Sequence, residues 1–182
     1  MRDIEHARKL LSDAELIFGA EEVQGAIRKV AADVTAGLGD AYPLLLTAMG
    51  GGVFFAGQIL PLLRFPLDLD YVHATRYGSN ISGASIEWRV HPPASVRGRT
   101  VLVLDDILDG GKTMAAIRDR VIDMGADKFM CAVLTEKKLA SPKPIVADFV
   151  GLTLPDRFVF GCGMDARGYW RNLPEVYALK ED

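Results

Sequence analysis

Asp105, Asp106 and Asp109 follow the apolar run Val101–Leu104 and lead into Gly110-Gly111-Lys112-Thr113. Each of these residue types has a use in holding a sugar phosphate. Glycines let backbone N–H groups approach an anion with no Cβ in the way. A helix beginning at Thr113 would add the positive end of its dipole and its free N–H donors. The Thr113 hydroxyl is a further donor, so the stretch reads as a phosphate cup. It is not a Walker A loop, which needs glycine five positions before the Gly-Lys pair; Asp106 occupies that position. The acids need a separate reason, because carboxylates repel a nearby phosphate. Asp105 and Asp106 make sense as acceptors for sugar hydroxyls or as neighbours of a bound Mg²⁺. Acids that only favour a helix dipole would not require three carboxylates and two glycines within residues 105–111.

The elements that must position these groups follow from periodicity. Thr100–Leu104 is a β-branched and leucine run typical of a central parallel strand. Thr113–Met124 then reads as a helix, with Met114, Ile117, Val121 and Ile122 on one side and Gly125 at its end. Lys128–Thr135 is the next strand. Upstream, Glu21–Val34 carries Val23, Ile27, Val30 and Val34 on one helical face, and Gly37 and Gly39 are expected to stop it. Leu44–Ala48 reads as a buried strand and Gly52–Leu63 as an apolar helix. Leu67–Thr75 and Ser85–Val90 read as two strands around the polar loop Arg76–Ala84. Short apolar runs recur at Phe149–Leu154 and Phe158–Cys162. Strand–helix–strand repetition implies right-handed crossovers and an α/β fold with a parallel sheet flanked by helices.

Composition narrows the function classes. With 182 residues the chain suits one α/β domain, and a net charge of -3 offers no basic footprint for nucleic acid. Cys131 and Cys162 lack a CxxC partner and read as buried thiols in a reducing, cytoplasmic setting. The start, MRDIEHARKL, has no apolar run of signal-peptide type. The apolar stretch Tyr42–Leu63 is broken by Pro43, Gly50, Gly51, Gly52, Gln58 and Pro61, which argues against a membrane span.

VLVLDDILDGGKTM resembles the phosphoribosyl-pyrophosphate signature of the type I phosphoribosyltransferases, and the remainder, from roughly Leu44 to Tyr177, resembles their hypoxanthine-guanine branch. The resemblance implies a single domain, with a core near 21–140 and a small hood from 1–20 and 141–182. It assigns Asp105 and Asp106 to the ribose hydroxyls, Asp109–Thr113 (with Gly110, Gly111 and Lys112) to the 5′-phosphate, and Asp109 to general-base duty near purine N7. TRYGSNISG is similar to the family's flexible catalytic loop, with Arg76-Tyr77 replacing its usual Ser-Tyr. Leu45–Gly52 is similar to its pyrophosphate loop, so Met49, Gly50 and Gly51 would bind pyrophosphate together with Arg171. Met49 stands where the family has lysine, and a cis peptide is expected at Ala48–Met49. Lys137 matches the lysine that donates to the purine 6-oxo group, with Lys138 as the alternative one position on. PDRFVFGCGMDARGYWR resembles the base-binding segment. Phe158 would stack on the purine, Val159 would offer backbone groups, and Asp165 would sit near the 2-position.

The reaction so implied transfers a phosphoribosyl group from 5-phosphoribosyl-1-pyrophosphate to N9 of hypoxanthine or guanine, giving IMP or GMP and pyrophosphate. Mg²⁺ would be held, directly or through water, by Asp105, Asp106 and Asp165. Small-molecule substrates, no nucleic-acid or membrane partner, and a homodimer or homotetramer are expected. Gly52–Leu63 is the candidate interface. Two alternatives stay open: a xanthine-preferring enzyme of the same kind, and a regulatory binding protein on the same fold.

Overall fold

Strands buried on both faces must be apolar throughout, and the centre of the molecule is built this way. The computed structural model describes residues 3–76 and 86–180. In it β2 (Leu44–Ala48) and β5 (Thr100–Leu108) lie at the middle of a six-stranded sheet, flanked by β3 (Asp68–Arg76), β4 (Ile86–Val90), β6 (Lys128–Lys137) and β7 (Phe149–Leu154). The order is β4-β3-β2-β5-β6-β7, parallel except for the β3–β4 ribbon. Alternate residues of β5 serve different layers. Leu102 and Leu104 join the core under α2 (Ala20–Leu38) and α3 (Gly52–Ile59), whereas Val101 and Val103 join the core under α4 (Lys112–Asp123).

A second, three-stranded sheet is made by β1 (Glu15–Phe18), β8 (Val159–Phe160) and β9 (Val176–Ala178), in the order β1-β9-β8. Val159, Val176 and Ala178 reach the same apolar core as α2 and α3. The N-terminal helix α1 (Ile4–Ser12) is started by Asp3, whose carboxylate accepts from the N–H groups of Glu5 and His6. It is fastened to the C-terminal segment where Trp170 Nε1 donates to the Ala7 carbonyl at 2.7 Å. No helix among the described residues is long and apolar enough to cross a membrane.

Several boundaries differ from the sequence expectation. The helix expected to stop at Gly37 and Gly39 takes Gly37 into its last turn and ends at Leu38, with Gly39 as its C-cap. Strand β5 does not end at Leu104 but carries the acids within it, its pairing with β6 continuing to Leu108↔Glu136. The expected Gly52–Leu63 helix becomes a 3₁₀ turn from Leu60. Strand β7, inside the stretch expected to form the hood, is an edge strand of the large sheet. The cis peptide is Met49–Gly50, not Ala48–Met49. Met49 N still donates to the Val72 carbonyl at 2.8 Å.

Candidate active site

Parallel α/β sheets bind ligands beyond the carboxyl ends of their strands. Here β2, β3, β5 and β6 all deliver residues to that edge, around two adjoining cavities. The larger, about 570 Å³, is lined by Met49, Gly50 and Gly51 after β2, by Asp105, Asp106 and Asp109 at the end of β5, by Gly111 and Thr113 at the start of α4, and by Arg171. The smaller, about 220 Å³, is lined by Lys137, Phe158, Val159, Met164 and Asp165. The two share Asp106, Ile107, Asp109 and Arg171. An elongated ligand can therefore lie across both, with Asp109 at the junction.

The floor is set by close backbone approach. A Cβ on Gly51 would overlap the Asp106 carboxylate, and one on Gly52 would press on the Leu104 carbonyl. The chain around Gly163 lies in turn against the Gly51 carbonyl. Asp106 is held from below by Thr135, whose Oγ1 donates to its carbonyl at 2.9 Å. Its own N–H donates to Asp105 Oδ1 at 2.9 Å. Burial pushes the Asp105 carboxyl well above the usual carboxylate range, and the neighbouring Asp106 charge pushes it further. Burial raises Asp106 as well, opposed in part by its hydrogen bonds and by Arg171. Two crowded carboxyls of this kind suit hydroxyl donors and a cation. Among the described residues no group of three or more His, Cys, Asp or Glu forms a metal cage. The paired acids still fit Mg²⁺, which binds through one or two carboxylates with waters and substrate phosphates completing its shell.

Helix α4 opens with Gly111 in the left-handed region, φ 74°, a conformation that favours glycine. Gly110 and Lys112, expected in the 5′-phosphate loop, do not line the cavity, and Lys112 is exposed. In the smaller cavity Lys137 is not a solvated surface lysine. Its side chain is 12% exposed and its Nζ lies 3.5 Å from Asp109 Oδ1. Lys138 is exposed and lines neither cavity. Phe158 is not a core residue, being 54% exposed, whereas Phe160 beside it is fully buried and stacks on Tyr177. Asp165 is engaged by Arg171 at 2.5 Å and by the Gly168 N–H at 2.5 Å, and Arg171 also donates to the Gly163 carbonyl at 2.6 Å. Arg76 ends β3; Tyr77 and the rest of the expected loop, to Ala84, lie outside the described residues, as does Ser85, the expected start of the next strand. Cys131 and Cys162 are free and buried, and burial pushes both thiols up to about 12, which suits packing and not chemistry.

Sequence reasoning missed His73, Thr75 and Arg89, which line the larger cavity from β3 and β4. The signal was there: His73 and Thr75 are spaced i, i+2 just before the polar loop, a spacing that puts them on one strand face.

The match to the phosphoribosyl transferase domain model covers residues 17–167. The hypoxanthine-guanine phosphoribosyltransferase of Bacillus subtilis is 29% identical over 167 residues, covering 91% of this chain and 93% of its own. The hypoxanthine-guanine-xanthine phosphoribosyltransferase of Tritrichomonas foetus is 30% identical over 176 residues, covering 94% of this chain and 95% of its own. Among solved structures, a hypoxanthine phosphoribosyltransferase from Staphylococcus aureus superposes with a TM-score of 0.86, covering 99% of this chain and 96% of that one at 24% identity, a likeness of fold. The glycine turn between β5 and α4, the paired acids and the family match over most of the chain lead to one conclusion: the chain belongs to the type I phosphoribosyltransferase family.

Proposed function

We propose that the enzyme transfers the 5-phosphoribosyl group of 5-phosphoribosyl-1-pyrophosphate to N9 of hypoxanthine or guanine. The observation that carries this reading is the pairing of Lys137 and Phe158 in a small cavity joined to the phosphate cup through Asp109. Donor hydroxyls fall to Asp105 and Asp106, and the 5′-phosphate to the N–H groups of 110–113 and the Thr113 hydroxyl. The purine ring stacks on Phe158, and Lys137 donates to its 6-oxo oxygen. Adenine would present an amine to that ammonium, donor against donor. Asp109 takes the N7 proton as N9 attacks C1 and pyrophosphate departs. Charge on the departing group is met by Arg171, Arg89 and the backbone N–H groups of Gly50 and Gly51, the Met49 N–H being held by the Val72 carbonyl. Held by Asp105 and Asp106, Mg²⁺ would supply further positive charge there.

Asp165, which lines the smaller cavity, favours the 2-amino group of guanine over the 2-oxo group of xanthine. Titration calorimetry with nucleoside monophosphates tests the base assignment. GMP and IMP should bind at least about tenfold more tightly than AMP, one good hydrogen bond to a charged group against a repulsive contact. Equal affinity for all three would contradict a 6-oxopurine site.

A further inference from the structure

Strands β5 and β6 part company just where the two cavities meet. Their last paired residues are Leu108 and Glu136. Beyond them one chain turns into the phosphate cup at Asp109, and the other carries Lys137 towards the purine cavity. Carbonyl groups at such a fork lose their ladder partners and need others. A side chain from the 138–148 connection supplies them. Lys143 Nζ donates to the Leu108 carbonyl at 2.8 Å and to the Lys137 carbonyl at 2.6 Å, and pairs with Glu136 Oε1 at 3.1 Å. Its side chain is 10% exposed, and the three donors of an ammonium are thereby all used. The same segment backs the phosphate cup. A Cβ on Gly111 would sit 3.3–3.4 Å from Ile145, Lys143 and Pro144.

We infer that Lys143 is a positioning residue, a clasp that fixes Asp109 and Lys137 relative to each other across the fork. The inference rests on the proposed function for the roles of those two residues, but the clasp itself is a matter of geometry. Lys143 touches neither cavity's substrate-facing groups, so it acts only through its hold on the Leu108 and Lys137 backbone. Losing it frees the strand ends by an ångström or so, and misplacement on that scale costs a reacting pair roughly tenfold to a hundredfold.

The test is a double-mutant cycle on the whole enzyme. Lys143→Met should raise the KM for hypoxanthine about tenfold and lower kcat, as expected of a misplaced base-binding pair. In a Lys137→Ala background the same substitution should change that KM by less than about twofold, since the group it positions is gone. Equal factors in the two backgrounds, or a well-folded Lys143→Met with unchanged constants, would overturn the inference. Should Lys143→Met not fold, Lys143→Gln keeps two of the three donors, without the charge, and should show an intermediate loss; no loss would again overturn it. If the unmodified enzyme transfers no phosphoribosyl group, the proposed function has failed and the clasp is read separately. Amide exchange over 109–113 and 136–138 should quicken in Lys143→Met or, failing that, Lys143→Gln, and unchanged exchange would dispose of it.

Discussion

Replacing Gly163 by alanine should loosen the hood from the phosphate site, and its size can be worked from the geometry. Gly163 has φ 103°, where an L-residue is strained by about 1–3 kcal/mol. The new Cβ would also overlap the Gly51 carbonyl and approach Asp106 Cβ at 3.2 Å. Forcing the packed segments apart adds about 1–3 kcal/mol, for a total near 4 kcal/mol. In a chain of this length each kcal/mol lowers Tm by roughly 2–4 °C, so a drop of about 8–16 °C is expected. Gly98 is the control. It too has positive φ, 68°, but a Cβ there meets nothing within 4 Å. Gly98→Ala should therefore show backbone strain alone, about 1 kcal/mol and 2–4 °C. Calorimetric melting measures both. Gly163→Ala should in addition raise the KM for the sugar donor, since Gly51 lines the larger cavity, where pyrophosphate is proposed to bind, and Gly98→Ala should not. Equal Tm losses at the two positions, with donor KM unaltered, would refute the claim that the 161–171 segment is seated on the Gly51 turn.

Other consequences concern the site itself. Asp109→Asn should lower kcat by about 10²–10⁴ with little change in hypoxanthine affinity, measured by steady-state kinetics and equilibrium binding; unchanged kcat would remove Asp109 as the base. Lys137→Ala should raise the KM for hypoxanthine by about tenfold or more, a hydrogen bond to a charged group being worth about 1.5–3 kcal/mol, with the donor KM little altered. Asp105→Asn should stabilise the ligand-free protein at pH 7. The folded Asp105 carboxyl is raised above its ordinary value of 3.8, so the folded protein holds an extra proton in the window above that value and loses stability as pH rises through it. The gain in Tm over the unmodified protein should accordingly shrink as pH is lowered towards 4, roughly the ordinary carboxylate range. A gain that does not shrink would point to a different cause.

Much of this arrangement is legible in the chain. The run Val101–Leu104 predicts a central strand because both its faces must be apolar, and the Gly-Gly-Lys-Thr start of α4 is read from the backbone conformations glycine allows. What is lost lies where tertiary contacts override local signals. Asp105 and Asp106 belong to β5 itself because β6 keeps pairing beside them and Thr135 grips the Asp106 carbonyl; nothing local announces that. Phe158 and Phe160 are indistinguishable by residue type, yet the first lines the smaller cavity and the second fills the core. Arg89 and Lys143 escape because each reaches the site from a segment with no motif of its own. The helix at Ile4–Ser12 is readable in hindsight from the Asp3 cap, but its place under Trp170 depends on contacts more than 150 positions away.

The central claim is that a phosphate cup and a 6-oxopurine cavity meet at Asp109. Pyrophosphate release measures it most directly, with the enzyme, 5-phosphoribosyl-1-pyrophosphate, Mg²⁺ and one base at a time. Release should depend on hypoxanthine or guanine, be weaker with xanthine, and be absent with adenine and with pyrimidines. Release with adenine equal to that with hypoxanthine, or none with any 6-oxopurine, would contradict the account.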